Sequence, residues 1–244
     1  MISFEKIREI AQKSQTTTLN IGRDYIQALF LYAFYQQKES ADFFFKGGTA
    51  LHFVYQSPRY SEDLDFSAKA FNCQTFEKSL ASSLLFMEKS GLNVNLVESK
   101  PTTGGCLAIF SVSLEKLPVK VQVEVSLRTA KDLKGEAVLI KTKLTPAFDI
   151  LILKEEALVR GKIEALLARK KPRDFYDLYF ILRTGLKITL SEKERSLIIK
   201  EVKSLSPKEE ATQLKELFPR SHRLIIKDLP SVLRRELERK GLTG

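Results

Sequence analysis

Two short stretches decide the fold of this chain: KGGTAL at residues 46–51 and RYSEDLDF at residues 59–66. The first joins a double glycine to a hydroxyl residue, Thr49, and the second carries Asp63 and Asp65 inside an apolar run. Residues i and i+2 of a strand point to the same face, so the two carboxylates project together. Adjacent carboxylates repel each other unless a cation lies between them. The pattern therefore predicts a metal-binding strand shortly after a glycine turn.

The ligand types in these stretches favour a hard cation and a phosphate. Mg²⁺ prefers oxygen ligands and is often held by one or two carboxylates together with substrate phosphates. Gly47 and Gly48 allow backbone N–H groups to approach a phosphate, and Thr49 is expected to cap the helix that follows. We therefore expect a site for a nucleoside triphosphate (NTP) with Mg²⁺ or Mn²⁺. The alternative, an exposed strand with two solvated aspartates, is less favoured because the glycine turn is so near.

Three charged residues further along the chain are additional candidates. Glu124 lies on the polar face of a predicted strand over residues 119–127 and is a candidate third metal ligand. The alternative is that Glu124 is simply an exposed residue of an amphipathic strand. Lys162, on a predicted helix, is a candidate phosphate-binding cation, or a lysine whose stem covers the core. Asp174 is a candidate for orienting Lys162 or an acceptor hydroxyl, or a favourable acidic helix start.

Composition excludes several classes of protein. The chain has 244 residues, of which 43% are hydrophobic and 29% charged. This is an ordinary balance for a globular protein. We expect no membrane span and no secretory signal. Cys73 and Cys106 are the only cysteines, so we expect no disulfide framework, no zinc cluster and a reducing cytoplasm. His52 and His222 are isolated and show no ligand spacing. Nothing requires more than a monomer.

The net charge of +10 is concentrated in the last third of the chain. Residues 160–244 hold 21 Lys and Arg against 12 Asp and Glu, whereas residues 1–159 hold 19 against 18. A one-sided basic excess is typical of proteins that bind a polyanion such as RNA, DNA or nucleotide phosphates. The alternative is a lysine-rich helical surface that faces water.

Hydrophobic periodicity divides the chain at residue 153. It predicts an α/β catalytic portion over residues 1–153 and a basic helical portion over residues 154–244, with breaks near Pro172, Gly185, Pro207, Pro219 and Pro230. The predicted helices of the first portion cover residues 3–15, 23–38, 49–55 and 72–90. Its predicted strands cover residues 42–45, 62–67, 93–97, 106–112, 119–127, 136–144 and 148–153.

These motifs together resemble those of the AbiEii family, the nucleotidyltransferase toxins of abortive-infection, type IV toxin–antitoxin systems, related to polymerase-β-like enzymes. The resemblance covers roughly residues 40–185 and keeps the order of the motifs. The family's Gly-Gly-Ser/Thr-Ala-Leu turn matches residues 47–51. Its Arg-x-Ser-x-Asp-x-Asp motif falls on Arg59, Ser61, Asp63 and Asp65.

The later motifs of the family are also intact. The helical lysine motif falls on Lys162. The last motif, Arg-x-Lys-x-Arg-Asp-x-x-Asp-Leu, falls on Arg169, Lys171, Arg173, Asp174, Asp177 and Leu178. Residues 186–244 carry no motif that indicates a role.

The resemblance implies an α+β nucleotidyltransferase fold: a mixed, twisted sheet with flanking helices and a helical C-terminal lobe. It implies transfer of NMP from an NTP, with Mg²⁺, to an acceptor that in some relatives is the 3′ end of tRNA. It also implies a separately encoded antitoxin that opposes the toxin without a stable complex. The competing functions are a metal-dependent RNA nuclease or phosphodiesterase and a non-catalytic nucleic-acid-binding protein.

The expected mechanism gives each motif residue a role. Asp63 and Asp65 bind the metal, with Glu124 completing its shell. Gly47, Gly48 and Thr49 hold the β/γ end of the triphosphate, and Ser61 lines the same pocket. Lys162 pairs with the triphosphate, and Asp174 orients Lys162 or the acceptor hydroxyl.

Overall fold

The chain folds into an α/β unit followed by a helical unit. The computed structural model describes residues 2–69, 73–115, 117–127, 133–206, 212 and 214–242. Its two compact units are Met1–Leu153 and Lys154–Gly244. The first contains a seven-stranded mixed sheet, and the described part of the second is helical with irregular connections. The expected fold class, α+β with a mixed sheet, flanking helices and a helical C-terminal portion, is confirmed.

The strands and helices of the first unit follow one another in a mixed order along the chain. The strands are β1 Phe43–Lys46, β2 Asp63–Ala68, β3 Asn93–Thr102, β4 Gly105–Leu114, β5 Leu117–Leu127, β6 Gly135–Ile140 and β7 Phe148–Leu153. The helices are α1 Phe4–Lys13, α2 Thr18–Tyr35, α3 Gly47–Phe53 and α4 Cys73–Lys89.

Strand pairing places β2 at the centre of the sheet. The strand order is β3-β4-β5-β2-β1-β7-β6. β1 runs antiparallel to β2, whereas β2 runs parallel to β5 and β1 parallel to β7. The outer pairs, β3 with β4, β4 with β5 and β6 with β7, are antiparallel. The strand that carries the two aspartates is therefore supported on both sides.

Alternating residues and an aromatic cluster form the core of this unit. On β5 the valines at positions 119, 121, 123 and 125 are buried, and the residues between them are more exposed. Helix α2 packs Phe30 against Phe110 and Phe34 against Phe66, with ring centroids 5.3 Å and 5.2 Å apart. Such aromatic pairs add specific ring contacts to a large buried apolar area. The core therefore fixes β2 from its apolar face.

Local hydrogen bonds explain where two elements differ from the sequence prediction. Helix α2 begins at Thr18 instead of residue 23, because the Thr17 hydroxyl caps it by accepting from the Asn20 N–H at 3.1 Å. Strand β6 ends at Ile140 instead of residue 144. The Thr142 hydroxyl accepts from the backbone N–H groups of Leu144 and Thr145, and this turn competes with strand pairing.

The second unit consists of helices separated by turn residues. Its helices are α5 Glu155–Arg169, α6 Pro172–Thr184, α7 Glu192–Ser204, α8 Arg223–Lys227 and α9 Leu229–Arg239. Lys170 ends α5 in the left-handed conformation, and Pro172 is the first residue of α6, a position where its missing N–H costs nothing. Gly185 ends α6 in the left-handed region, with φ +80°. The expected break near Pro207 lies outside the described residues.

The two cysteines contradict the sequence prediction. Cys73, the first residue of α4, and Cys106 on β4 form a disulfide with their Cα atoms 6.0 Å apart. The expectation of no disulfide framework is therefore wrong. The two residues are separated by 33 positions, and only the return of β4 beside the start of α4 brings them together. No helix among the described residues has the length and apolar character that crossing a membrane requires.

Candidate active site

A row of charged residues crosses three neighbouring strands of the sheet. Asp65 on β2 lies opposite Lys46 on β1 and opposite Glu124 on β5. Asp63, two residues earlier on the same face, lies opposite Gln122. Strands in a sheet are about 4.8 Å apart, and paired residues face the same side. The sequence expectation that Asp63 and Asp65 share a face agrees with this register, and both are partly exposed to solvent.

The glycine turn lies directly against this row. Gly47 has φ +86°, and a Cβ atom there would overlap the Asp65 carboxylate. A Cβ atom on Gly48 would overlap the Arg59 guanidinium and come within 2.8 Å of the Ser61 hydroxyl. Gly47 therefore requires glycine, whereas a side chain at Gly48 would have to displace the Arg59 guanidinium.

Thr49 connects the turn to the aspartate strand instead of capping a helix. Helix α3 begins at Gly47 and not after Thr49, so the expected cap is wrong. The Thr49 hydroxyl is fully buried and donates to the backbone carbonyl of Asp63. Because this hydroxyl is engaged within the protein, it is not assigned to a phosphate. Its contact instead fixes the distance between α3 and β2.

Arg59 and Ser61 support the turn from the other side. Both are buried, with relative exposures of 3% and 9%. Arg59 donates to the carbonyl of Tyr60 at 3.1 Å, and Gln27 of α2 donates to the carbonyl of Ser61 at 3.2 Å. Ser61 lies beside Gly48, and its place in the triphosphate pocket stays a prediction. Arg59 is part of the Arg-x-Ser-x-Asp-x-Asp motif, but the sequence analysis assigned it no role.

A buried contact between His52 and Asp24 beneath the turn was missed by the sequence analysis. The His52 ring lies between Asp24 of α2 and the backbone carbonyl of Ser57, with Nε2 2.9 Å from the carboxylate and Nδ1 2.6 Å from the carbonyl. Burial alone would lower the pKa of His52, but the charge and hydrogen bond of Asp24 outweigh it and raise the pKa above its usual value. Asp24 is 28 residues away along the chain, so no local spacing reveals the pair.

Glu124 shares the row but does not form a three-carboxylate cluster. It is exposed on β5 and pairs in register with Asp65. Within the described ranges, no three His, Cys, Asp or Glu side chains are grouped closely enough to hold a metal ion. The assignment of Glu124 as a third ligand therefore stays a prediction. Asp63 and Asp65 offer partly exposed oxygen ligands on one face, a donor set that suits Mg²⁺.

In the second unit, Lys162 is held by a carboxylate other than the expected one. Its ammonium lies 2.8 Å from Asp177 of α6, and the two side chains are 11% and 2% exposed. An ammonium has three N–H donors, and this pair uses one of them. The partner is Asp177 and not Asp174. Asp177 belongs to the last motif of the family, and this membership was the only feature of the sequence that pointed to Asp177 as a partner of Lys162.

The carboxylate of Asp174 is hydrogen-bonded within the protein at the start of α6. One carboxylate oxygen accepts from Arg169 at 2.6 Å, and the other accepts from the backbone N–H of Lys171 at 3.2 Å. The side chain is nearly fully buried. These contacts fit the alternative of a favourable helix start, and they hold the turn between α5 and α6. The expected contact between Asp174 and Lys162 is not the one that this unit forms.

Solved structures share this fold at low sequence identity. JHP933 from Helicobacter pylori is 18% identical, with a TM-score of 0.54 over 93% of this chain and 96% of that one. MenT4, the nucleotidyltransferase toxin Rv2826c of Mycobacterium tuberculosis H37Rv, is 15% identical, with a TM-score of 0.63 over 98% of this chain and 93% of that one. Among curated proteins, none matches this chain significantly.

A family model matches most of the chain. The model is described as nucleotidyl transferase AbiEii toxin, type IV TA system, and it matches residues 29–238. This range includes the glycine turn, the aspartate strand and the Lys162–Asp177 pair. The chain therefore belongs to the AbiEii family of nucleotidyltransferase toxins.

Proposed function

We propose that this protein transfers NMP from an NTP to the 3′ end of tRNA with Mg²⁺, as the toxin of a type IV toxin–antitoxin system that acts in abortive infection. The observation that carries the proposal is the row of Lys46, Asp65 and Glu124 beside Gly47. Two aspartates on one strand face, next to a backbone turn that tolerates no side chain, suit a metal-bound triphosphate.

The first unit supplies the metal ligands and the turn. Asp63 and Asp65 would hold Mg²⁺, and Glu124 would complete its oxygen shell. When bound, Mg²⁺ offsets the charge that develops on the α-phosphate and on the leaving pyrophosphate. Gly47 is partly exposed, so its backbone would approach phosphate oxygens, whereas Gly48 is buried and would hold the turn against Arg59 and Ser61.

In the second unit, Lys162 supplies a positive charge to the triphosphate. Asp177 is buried and paired with it, so it holds the ammonium in one place while two further N–H donors can contact phosphate oxygens. Lysine binds phosphate as a point charge and tolerates more than one geometry. We retain Asp174 in the site only as the residue that orders the turn before α6.

The net reaction makes one bond and breaks one bond. The oxygen of the acceptor hydroxyl bonds to the α-phosphorus, and the bond from that phosphorus to the bridging oxygen breaks. Pyrophosphate leaves, and the hydroxyl proton is released to solvent. The reaction therefore lengthens the acceptor by one nucleotide, whereas a nuclease would shorten it.

An assay with each α-labelled NTP in turn, Mg²⁺ and total tRNA tests the proposal. We expect label in RNA with the intact protein. Asp63→Asn/Asp65→Asn should lower the rate at least about a hundredfold, because charge stabilisation by a metal is worth several kcal/mol. Asp149→Asn, an exposed strand aspartate of the same sheet, is the matched control and should keep full activity. Full activity in the double variant would remove Asp63 and Asp65 from the mechanism.

The products of the same assay separate the competing functions. Shortened RNA without label would identify a nuclease. Label on the protein would identify a protein acceptor. The absence of both NTP binding and label would favour a non-catalytic nucleic-acid-binding protein. The proposal also includes a cytoplasmic location, a monomeric state and an antitoxin that forms no stable complex. Fractionation of the host tests the location, and co-purification tests the other two.

A further inference from the structure

The two hydrogen bonds of the His52 ring indicate how many protons the ring carries. His52 Nδ1 lies 2.6 Å from the Ser57 carbonyl oxygen, and Nε2 lies 2.9 Å from an oxygen of Asp24. A carbonyl and an ionised carboxylate only accept hydrogen bonds, and a neutral imidazole has one N–H to donate. Both contacts are satisfied together when the ring carries two protons. The geometry thus indicates an imidazolium paired with a buried carboxylate.

This cation joins three segments of the first unit. His52 lies in the last turn of α3, whose first residues are Gly47 and Gly48. Asp24 belongs to α2, and Ser57 begins the segment that leads to Arg59 and Ser61. The Ser57 N–H also donates to the α3 carbonyl of Leu51 at 3.0 Å, which keeps this segment folded back on the helix.

We infer that His52 is a positioning residue: as a cation held between Asp24 and the Ser57 carbonyl, it fixes Arg59 and Ser61 against Gly48 and thereby sets the shape of the turn that receives the triphosphate. The last step rests on the proposed function. Only 16% of the His52 side chain and 8% of the Asp24 side chain are exposed. A cation suits the position because each of these buried charges needs the other.

Of the charged groups that face the His52 ring, one raises its pKa and another lowers it. Asp24 of α2 favours the charged form, and Arg59, on the segment after α3, opposes it. The Tyr60 ring lies 4.9 Å from the His52 ring; burial and the charge of Asp24 raise its pKa to about 12, so it stays neutral. The Phe53 ring, whose centroid lies 5.4 Å from that of His52, is apolar. Because the pKa of His52 is raised, the pair stabilises the fold fully below the unfolded pKa of about 6.5, and this stabilisation is lost as pH rises through the folded pKa.

Nitrogen-15 NMR of the imidazole rings tests the charge independently of any reaction. The chain has two histidines, so the spectrum of His222→Gln contains His52 alone. We expect both His52 nitrogens to be protonated at pH 6.5, with a titration midpoint above that pH that falls by at least one pH unit in Asp24→Asn. A ring that is mostly neutral at pH 6.5, or a midpoint that Asp24→Asn leaves unchanged, would overturn the inference.

The backbone amides report whether the charge positions the turn. In the same titration, the amide signals of Gly47, Gly48 and Ser61 should shift with the His52 midpoint. In His52→Gln they should show no step at that pH, with His222→Gln as the control that keeps it. Amides that remain constant while His52 loses its proton would leave the ion pair intact but remove its positioning role.

Binding of the triphosphate extends the test to the proposed function. We expect His52→Gln to weaken binding of Mg–NTP about tenfold by calorimetry at a pH below the His52 midpoint, and His222→Gln to leave it unchanged. Wild-type affinity should decline as pH passes the NMR midpoint, a step that a merely structural role would not produce. If the wild-type protein binds no NTP, the proposed function fails, and the amide titration still decides the positioning role.

Discussion

At the scale of single residues, Gly47 is the position where a small change has the largest expected effect. Its φ of +86° and the adjacent Asp65 carboxylate leave no room for a Cβ atom. We expect Gly47→Ala to displace Asp65, to lower transfer at least about a hundredfold and to destabilise the first unit by about 1–3 kcal/mol. Labelled-NTP transfer and thermal unfolding measure the two effects.

Gly161 is the matched control for that substitution. It lies within α5, and an added Cβ atom would meet nothing within 4 Å. Because alanine is the better helix former, Gly161→Ala should stabilise the second unit by about 0.5–1 kcal/mol. Equal losses of activity in both variants would show that the effect at Gly47 does not come from its contact with Asp65.

The Lys162–Asp177 pair allows function to be separated from stability. Lys162→Met leaves the Asp177 carboxylate buried without its ammonium partner, which should cost on the order of 3 kcal/mol. Lys162→Met/Asp177→Leu removes both charges and should recover most of this stability. We expect neither variant to recover transfer, since both lack the cation. Activity in the double variant would mean that Lys162 serves only the fold.

Short-range patterns in the sequence fix the position of some candidate residues, and long-range contacts fix the position of the others. Asp63 and Asp65 could be placed on one face because strand geometry fixes the direction of residues i and i+2. The partner of Lys162 could not be chosen in the same way, because Asp174 and Asp177 both follow the α5–α6 turn. The His52–Asp24 pair depends on how α2 packs beside α3, which no spacing encodes.

At the scale of elements, the start of α7 makes a pH-dependent contribution to stability. Arg160 of α5, followed by the Ser191 backbone, holds the pKa of Glu194 at about 2. Because the folded pKa is depressed, this stabilisation is present above the unfolded pKa of about 4.5 and is lost as pH falls toward 2. Glu194→Gln should therefore lower the unfolding temperature at pH 7, with a difference that shrinks below pH 4.5. A difference independent of pH would rule out the ion pair as its cause.

Element types could be predicted from periodicity, but strand order could not. The alternation of valines on β5 identified a strand with one buried face. The parallel pairing of β2 with β5 joins Asp63 to Gln122, and only the complete sheet reveals it. The ends of two elements differ from their predicted positions because the hydroxyls of Thr17 and Thr142 accept hydrogen bonds from backbone N–H groups.

At the scale of the whole molecule, the disulfide is the covalent link between distant parts of the first unit. Its two cysteines are separated by 33 positions along the chain. Closing a loop of this length is expected to contribute roughly 3–4 kcal/mol by limiting the unfolded chain. Cys106→Ala should therefore lower the unfolding temperature under oxidising conditions and have a much smaller effect in reductant. Equal effects in both conditions would mean that the bond does not form.

The basic second unit should make RNA binding sensitive to salt. Raising the salt concentration from about 50 to about 200 mM should weaken tRNA binding by the full chain at least about tenfold, because lysine and arginine release counterions from phosphates. Arg234→Glu/Arg235→Glu, at exposed positions of α9, should reduce the salt slope. Lys78→Glu/Lys89→Glu on α4 makes the same change in charge in the first unit and should affect the slope less.

The parallel pairing of β2 with β5 also affects synthesis of the protein. Asp65 and Glu124 are neighbours in the sheet but lie far apart along the chain. The ribosome adds about 5–20 residues per second, so it needs roughly 3–12 s to extend the chain from the first to the second. During this time the nascent polypeptide carries the aspartates without the strand that holds them in register. The aspartate strand is therefore paired with β5 only once the second half of the chain is being made, and prematurely terminated products that end before residue 124 should be inert.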